Sequence, residues 1–245
     1  MIHRRKSMHS TGYLNDDGMI RRHRYFEFDV NNTQIISGQF STLPGQEISV
    51  DWGDGSARST YSGTDQSWSH DYGSAGNYVV RIFGSVALTK FRMDRSGADI
   101  SFDLAYLPDK LLYLICYGSN TVTGDVADLP DALLLISCTG NNTITGDVAN
   151  LPSGLTSFGC YGNNTISDYS GKAWSTKPAA FRLIPVSPGG LSTAEVDQLL
   201  IDFDDDLTWA SGDVIKLTGA NAARSAASDA AVANMVAEGA TITTN

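Results

Sequence analysis

Apolar and polar residues alternate along Tyr25-Phe26-Glu27-Phe28-Asp29-Val30 and again along Ile48-Ser49-Val50-Asp51-Trp52. A period of two sends successive side chains to opposite faces of an extended chain, so both segments predict half-buried strands. The second runs into Gly53-Asp54-Gly55-Ser56, a turn sequence in which glycine accepts positive φ. Gly76-Asn77-Tyr78-Val79-Val80-Arg81-Ile82 predicts a closing strand. Short strands separated by glycine-rich turns point to a small sandwich over residues 25–85.

Beyond residue 86 the pattern becomes periodic, with a spacing of 22 residues. Leu111-x-x-Leu114-x-Cys116-x-x-Ser119 is followed by Leu133-x-x-Ile136-x-Cys138-x-x-Asn141 and Leu155-x-x-Phe158-x-Cys160-x-x-Asn163. A second half follows the first two: Thr121-Val122-Thr123-Gly124-Asp125-Val126 with Leu129-Pro130, then Thr143-Ile144-Thr145-Gly146-Asp147-Val148 with Leu151-Pro152. A degenerate copy precedes them from Leu88 to Pro108. One such unit cannot bury its apolar positions alone; stacked units share a continuous core. Cys116, Cys138 and Cys160 are therefore expected to stack as an inward ladder of free thiols. Asn141 and Asn163 are expected to bond neighbouring backbone within the turn.

The pattern changes again toward the end. Phe181-x-x-Ile184-x-Val186 predicts another strand, and Ser192 with Glu195 predicts a capped helix start. Val196, Leu199, Leu200 and Phe203 mark that helix's buried face. Val214–Leu217 predicts a strand, Ala222–Ala237 a helix and Thr241–Thr243 a last strand. The fold class expected is mainly β with C-terminal α/β repeats. Its parts are a basic arm (1–24), a β-sandwich (25–85) and a solenoid with helical C-terminal repeats and a cap (86–245).

Two resemblances sharpen this. Ile48–Ser56, His70-Asp71-Tyr72 and Ala75–Val80 resemble a PKD domain, which implies an immunoglobulin-like sandwich with His70 as a structural residue. The 22-residue units resemble leucine-rich repeats, which implies a leucine-rich-repeat solenoid. The pairing of the two modules looks like bacteriophage structural proteins and bacterial surface proteins. The segment from Gly190 to Asn245 is similar to the C-terminal repeat of phage structural and tail-associated proteins.

Charge divides the chain. Arg4, Arg5, Lys6, Arg21, Arg22 and Arg24 against Asp16 and Asp17 leave the first 24 residues at +4; with −10 overall, the rest stands at −14. The basic arm is a candidate anchor to an acidic neighbour, with a solvated terminus as the bland alternative. The acidic body argues against nucleic acid as the main ligand, and no stretch is long and apolar enough to insert in a membrane. An export leader is not expected, because no apolar run follows the basic start.

Asp51 and Asp54 are expected to bond their own turn rather than a metal. The acidic run at Asp202, Asp204, Asp205 and Asp206 is read as a solvated loop ahead of a cation site. No phosphate loop or hydrolase motif is present, so no catalytic residue, cofactor or metal is expected. Carboxylates serving a glycosidase are the residual enzymatic reading.

The candidate site is the outer face of the repeat strands. Leu112, Tyr113, Ile115, Tyr117, Leu135, Thr139 and Tyr161 are expected to face a partner, a saccharide, the N-terminal domain or a second copy of the chain. The expectation is a non-enzymatic virion component of tail, fibre or head-decoration type, assembled in the host cytoplasm. Its partners are then other virion proteins or a host receptor, with homo-oligomerisation possible. A bacterial cell-surface adhesin or glycan-binding protein is the alternative.

Overall fold

The computed structural model describes residues 25–94, 99–186 and 189–245, so the candidate arm from Arg4 to Arg24 lies outside the described residues. The chain is mainly β, with a solenoid-like region. It opens with β1 (Tyr25–Thr42), β2 (Glu47–Asp51), β3 (Ser59–Ser62) and β4 (Gln66–Phe83). The coils contribute β5 (Leu88–Met93), β6 (Asp99–Asp103), β7 (Tyr113–Asp125), β8 (Leu135–Gly140), β9 (Thr143–Asp147), β10 (Ser157–Gly162) and β11 (Thr165–Asp168). The end alternates β12 (Ala180–Pro185), α1 (Thr193–Asp206), β13 (Val214–Leu217), α2 (Asp229–Glu238) and β14 (Thr241–Thr244).

The coils lay down two rows of parallel strands. The first row runs β5-β7-β8-β10-β12-β13-β14. The second uses β6, the later half of β7, β9 and β11. Inward residues of the first row stack in register: Phe91, Leu114, Ile136, Phe158, Phe181 and Ile215 form one ladder. Met93, Cys116, Cys138, Cys160, Leu183 and Leu217 form the next, so the three thiols stack as expected, free and buried. Burial pushes the Cys116 and Cys160 thiols up, which keeps both protonated and inert.

Across β7, β8 and β10 the first row pairs residues 22 apart, as the repeat demands, whereas the second row pairs residues 20 apart: Phe102 with Val122, Thr123 with Thr143 and Thr145 with Thr165. This stagger explains the Thr-Gly-Asp-Val signature. Asp103, Asp125 and Asp147 each accept the N–H of the alanine two residues on and so cap a single 3-10 turn. Gly124 lies against the Asp103 carboxylate and Gly146 against that of Asp125. A Cβ at Gly146 would stand 2.3 Å from Asp125 Oδ1, and its φ of +112° already favours glycine.

β1 is longer than the strand expected over 25–30, and it joins the two parts of the molecule. Its length pairs antiparallel with β4, with register shifts between Val30 and Ile35. Its other edge pairs with β6 at Asp29–Asn31 and with β5 at Gly38–Thr42. One bent strand thereby continues both rows. The boundary read at 85/86 falls in a 3-10 turn (Ser85–Ala87) and interrupts neither the sheet nor the core. Phe91 shows this directly: it meets Phe26 and Phe102 edge-on at 5.2 and 5.8 Å and lies 5.3 Å from Phe28.

Three sequence expectations need correction. The strand at 180–185 buries Phe181, Leu183 and Pro185, not Phe181, Ile184 and Val186. Phe181 pairs with Phe158 rather than taking the place of Leu155, so the expected register was three residues off. Aliphatic residues at both parities left that register open to misreading. The second helix starts at Asp229 rather than Ala222. The buried Asp197 of α1 accepts from the Ser225 N–H and from the Ser225 and Ser228 hydroxyls, and those bonds hold the preceding segment out of the helix. Finally, the asparagines inside the coils are Asn120, Asn142 and Asn164; Asn141 and Asn163 are exposed. Asn142 Oδ1 accepts from Val122 N–H at 3.1 Å in the adjoining coil.

Candidate functional site

The outer face of the first row is read directly from the pairing register. One line of outward residues runs Lys90, Tyr113, Leu135, Ser157, Ala180, Val214. The next runs Arg92, Ile115, Ser137, Gly159, Arg182, Lys216. Tyr117, Thr139 and Tyr161 follow the cysteine in their respective repeats, and Tyr161 pairs with Ile184. Tyr113 is exposed, while Ile115, Tyr117, Leu135, Thr139 and Tyr161 are half-buried. Leu112 differs: it precedes β7 in the turn, its N–H bonds Thr89 O, and its carbonyl accepts from Leu134 and Leu135. The Thr139 hydroxyl accepts from Gly118 N–H at 3.3 Å, which ties it to the neighbouring coil.

β1 to β4 extend the sheet beside β5, and Asp65 in the turn between β3 and β4 reaches Lys90 at the edge of this face. Gly159 shapes the centre. A Cβ there would stand 3.2 Å from Tyr161 Cε2 and 3.4 Å from Ser137 Oγ, so the Tyr161 ring leans along its strand across the glycine. Burial pushes the Tyr161 phenol up, and the neighbouring Arg182 charge acts against that rise.

Lys90, Arg92, Arg182 and Lys216 share this face and were not among the residues singled out from sequence. Arg182 was hidden by the misread register at 181–186, and Lys216 lies in a strand whose pairing the sequence left unassigned. Once Phe181 is placed with Phe158, both fall in the line of Ile115 and Ser137. Lys90 pairs with Asp65 at 2.6 Å and Arg92 with Asp94 at 2.8 Å.

His70 sits away from this face in a packed aromatic run. Its ring stacks on Trp52 with centroids 4.6 Å apart and meets Tyr72 edge-on; Tyr72 stacks on Tyr78 at 3.7 Å. Its Nε2 lies 2.8 Å from Asp54 Oδ2. Burial pushes the Asp54 carboxyl up, but bonds from Ser56 and the His70 imidazole outweigh it and bring it down to about 2. Asp51 Oδ1 accepts from Gly53 N–H and Asp54 Oδ1 from Ser56 N–H, the local turn bonds expected for both.

The acidic run is helical rather than a loop: Asp202, Asp204, Asp205 and Asp206 form the last turn of α1. Asp202 accepts from the Tyr169 hydroxyl at 2.6 Å, Asp204 from Asn234 at 2.9 Å and Asp206 from Trp174 N–H at 2.8 Å. Carboxylates at a helix C-terminus oppose the helix dipole, and these donors offset the cost while fastening residues 169–174 to the helix. An open depression of ≈ 520 Å³ lies between Tyr169, Lys172, Gln198 and Asp205. Among the described residues, no three His, Cys, Asp or Glu side chains are arranged to hold a metal ion, and no helix is long and apolar enough to cross a membrane. Comparison of the chain with protein-family models, curated proteins and solved structures finds no match.

Proposed function

We propose that this protein is a non-enzymatic structural component of a virion, of tail, fibre or head-decoration type, that contacts a host receptor or a neighbouring virion protein through the outer face of its first strand row. The observation that carries the binding reading is the juxtaposition of Tyr113, Ile115, Tyr117, Leu135 and Tyr161 on one face of a sheet whose opposite face is a continuous core. Apolar side chains held on a rigid scaffold and left partly exposed among the described residues are the usual mark of an interface. The virion assignment draws its support from the resemblance of the paired PKD-like and leucine-rich-repeat-like modules, and of the C-terminal segment, to phage structural proteins. On this reading the basic arm at Arg4–Arg24 anchors the protein to an acidic neighbour, and the molecule is built in the host cytoplasm.

Mass spectrometry of purified particles tests the assignment: the chain is expected at a fixed copy number, and its absence from particles ends the virion reading. Tyr117→Ser with Leu135→Ser tests the face. Binding to the host surface or to the neighbouring subunit is expected to fall with the fold unchanged. The second reading, a bacterial cell-surface adhesin or glycan-binding protein, is favoured by the same tyrosine-bearing face and by recovery of the chain from cell envelopes instead of particles.

A further inference from the structure

We infer that the face centred on Tyr161 is a binding site for an acidic saccharide, with Arg182 and Lys216 as the groups that hold its anionic substituents. This inference rests on the reading of that face as the binding surface and names its ligand class.

The first observation is charge. The chain carries −10 overall, yet the two outward lines across β5, β7, β8, β10, β12 and β13 hold four cations and no Asp or Glu. Two of the cations, Lys90 and Arg92, have carboxylate partners in Asp65 and Asp94. Arg182 and Lys216 sit side by side on adjoining strands without a carboxylate among the described residues. Two such cations on neighbouring strands of an acidic protein make a local positive field, which complements an anion, the acidic surface of a second copy of the chain included. The test therefore separates the two: self-association that rises with protein concentration and is lost in Arg182→Ala with Lys216→Ala, together with no binding to the anionic polymers, overturns the saccharide in favour of a second copy.

The second observation is shape and chemistry. Arg182 pairs directly with Gly159, and the Tyr161 ring lies across that glycine. Arg182 is thereby set near the Tyr161 ring, with the Ser137 hydroxyl on the same line and that of Ser157 on the next line of the sheet. A pyranose ring presents C–H bonds to an aromatic face and hydroxyls to serine. Its carboxylate or sulfate suits the bidentate fork of arginine. The surface is open rather than a closed pocket, which suits a polymer lying across the strands. Nucleic acid also offers anions and rings, but the two free cations match few phosphates.

The test uses the full chain and immobilised polygalacturonate, dextran sulfate and neutral dextran, with a double-stranded DNA fragment as competitor. Binding to the two anionic polymers, weakening as salt rises, is expected, with none to neutral dextran. Arg182→Ala with Lys216→Ala is expected to weaken that binding by roughly tenfold or more, with unchanged circular dichroism, and Arg182→Lys is expected to recover part of it. Wild-type binding by the double variant, or no binding to either anionic polymer, overturns the inference. Equal binding to neutral dextran overturns the anionic class while leaving the face as a glycan surface. DNA that displaces the polymers at lower concentration overturns the saccharide assignment. Loss of particle or host contact in the Tyr117→Ser, Leu135→Ser variant is scored separately, so failure here does not decide the broader reading.

Discussion

The antiparallel strands before residue 84 and the parallel coils after it share one core but specify it by different means. The first region relies on large, singular contacts: Phe40 stacks on Trp68 at 4.9 Å, Trp52 lies against His70, and Phe26, Phe28 and Phe91 interlock. The coils rely on equivalent residues in register: the ladder from Phe91 to Ile215, the thiol ladder, and Gly124 and Gly146 over the capping Asp103 and Asp125. A contact made once must be made by a large side chain; one repeated every coil can be modest, because stacking multiplies it.

The junction offers the sharpest way to break this comparison. Phe91→Ala removes the ring that touches both regions and is expected to cost about 3–5 kcal/mol, read by urea denaturation as a single shifted transition. Two separate transitions in the wild-type protein would mean that the two regions fold as independent units. Next in size, Gly146→Ala forces a side chain into Asp125 at positive φ and is expected to cost roughly 2–3 kcal/mol. Gly55→Ala, at φ +83° in an open turn with no neighbouring atom, is expected to cost only about 1 kcal/mol. Equal losses at the two glycines would show that stacking adds nothing beyond backbone conformation.

Cys138→Ser places a hydroxyl in the thiol ladder and is expected to cost about 1–3 kcal/mol by thermal melting, with Cys138→Ala near the lower end. The smallest effect concerns the acid limb. Asp54 has a folded pKa lowered from 3.8 to about 2, so its contribution is complete above the unfolded value and is lost as pH falls from about 4 through 2. Asp54→Asn is expected to flatten the stability profile over that window, as read by urea denaturation across the acid range.

Much of this architecture was legible before any coordinates. The 22-residue spacing carries the thiol ladder, because stacked equivalents must share an environment. The Ser192–Glu195 capping box and the Val196, Leu199, Leu200, Phe203 face are local features, and both stand as read. The binding face was legible in part: Tyr113, Ile115 and Leu135 follow from alternation within one strand, whereas Leu112 lies in a turn and Arg182 lay in a misread register.

The amino-acid pattern alone determined what depends on neighbours along the chain: the repeat, its inward positions, the helix start and the self-bonded turns at Asp51 and Asp54. Tertiary structure decided what depends on partners far away. It decided that β1 bends to continue both rows, that the second row slips to a 20-residue offset, and that Asp197 withholds residues 222–228 from α2. It also decided which cations stand beside Tyr161. Local periodicity fixes which side a residue faces, but only the pairing of separate strands fixes which residues meet across it.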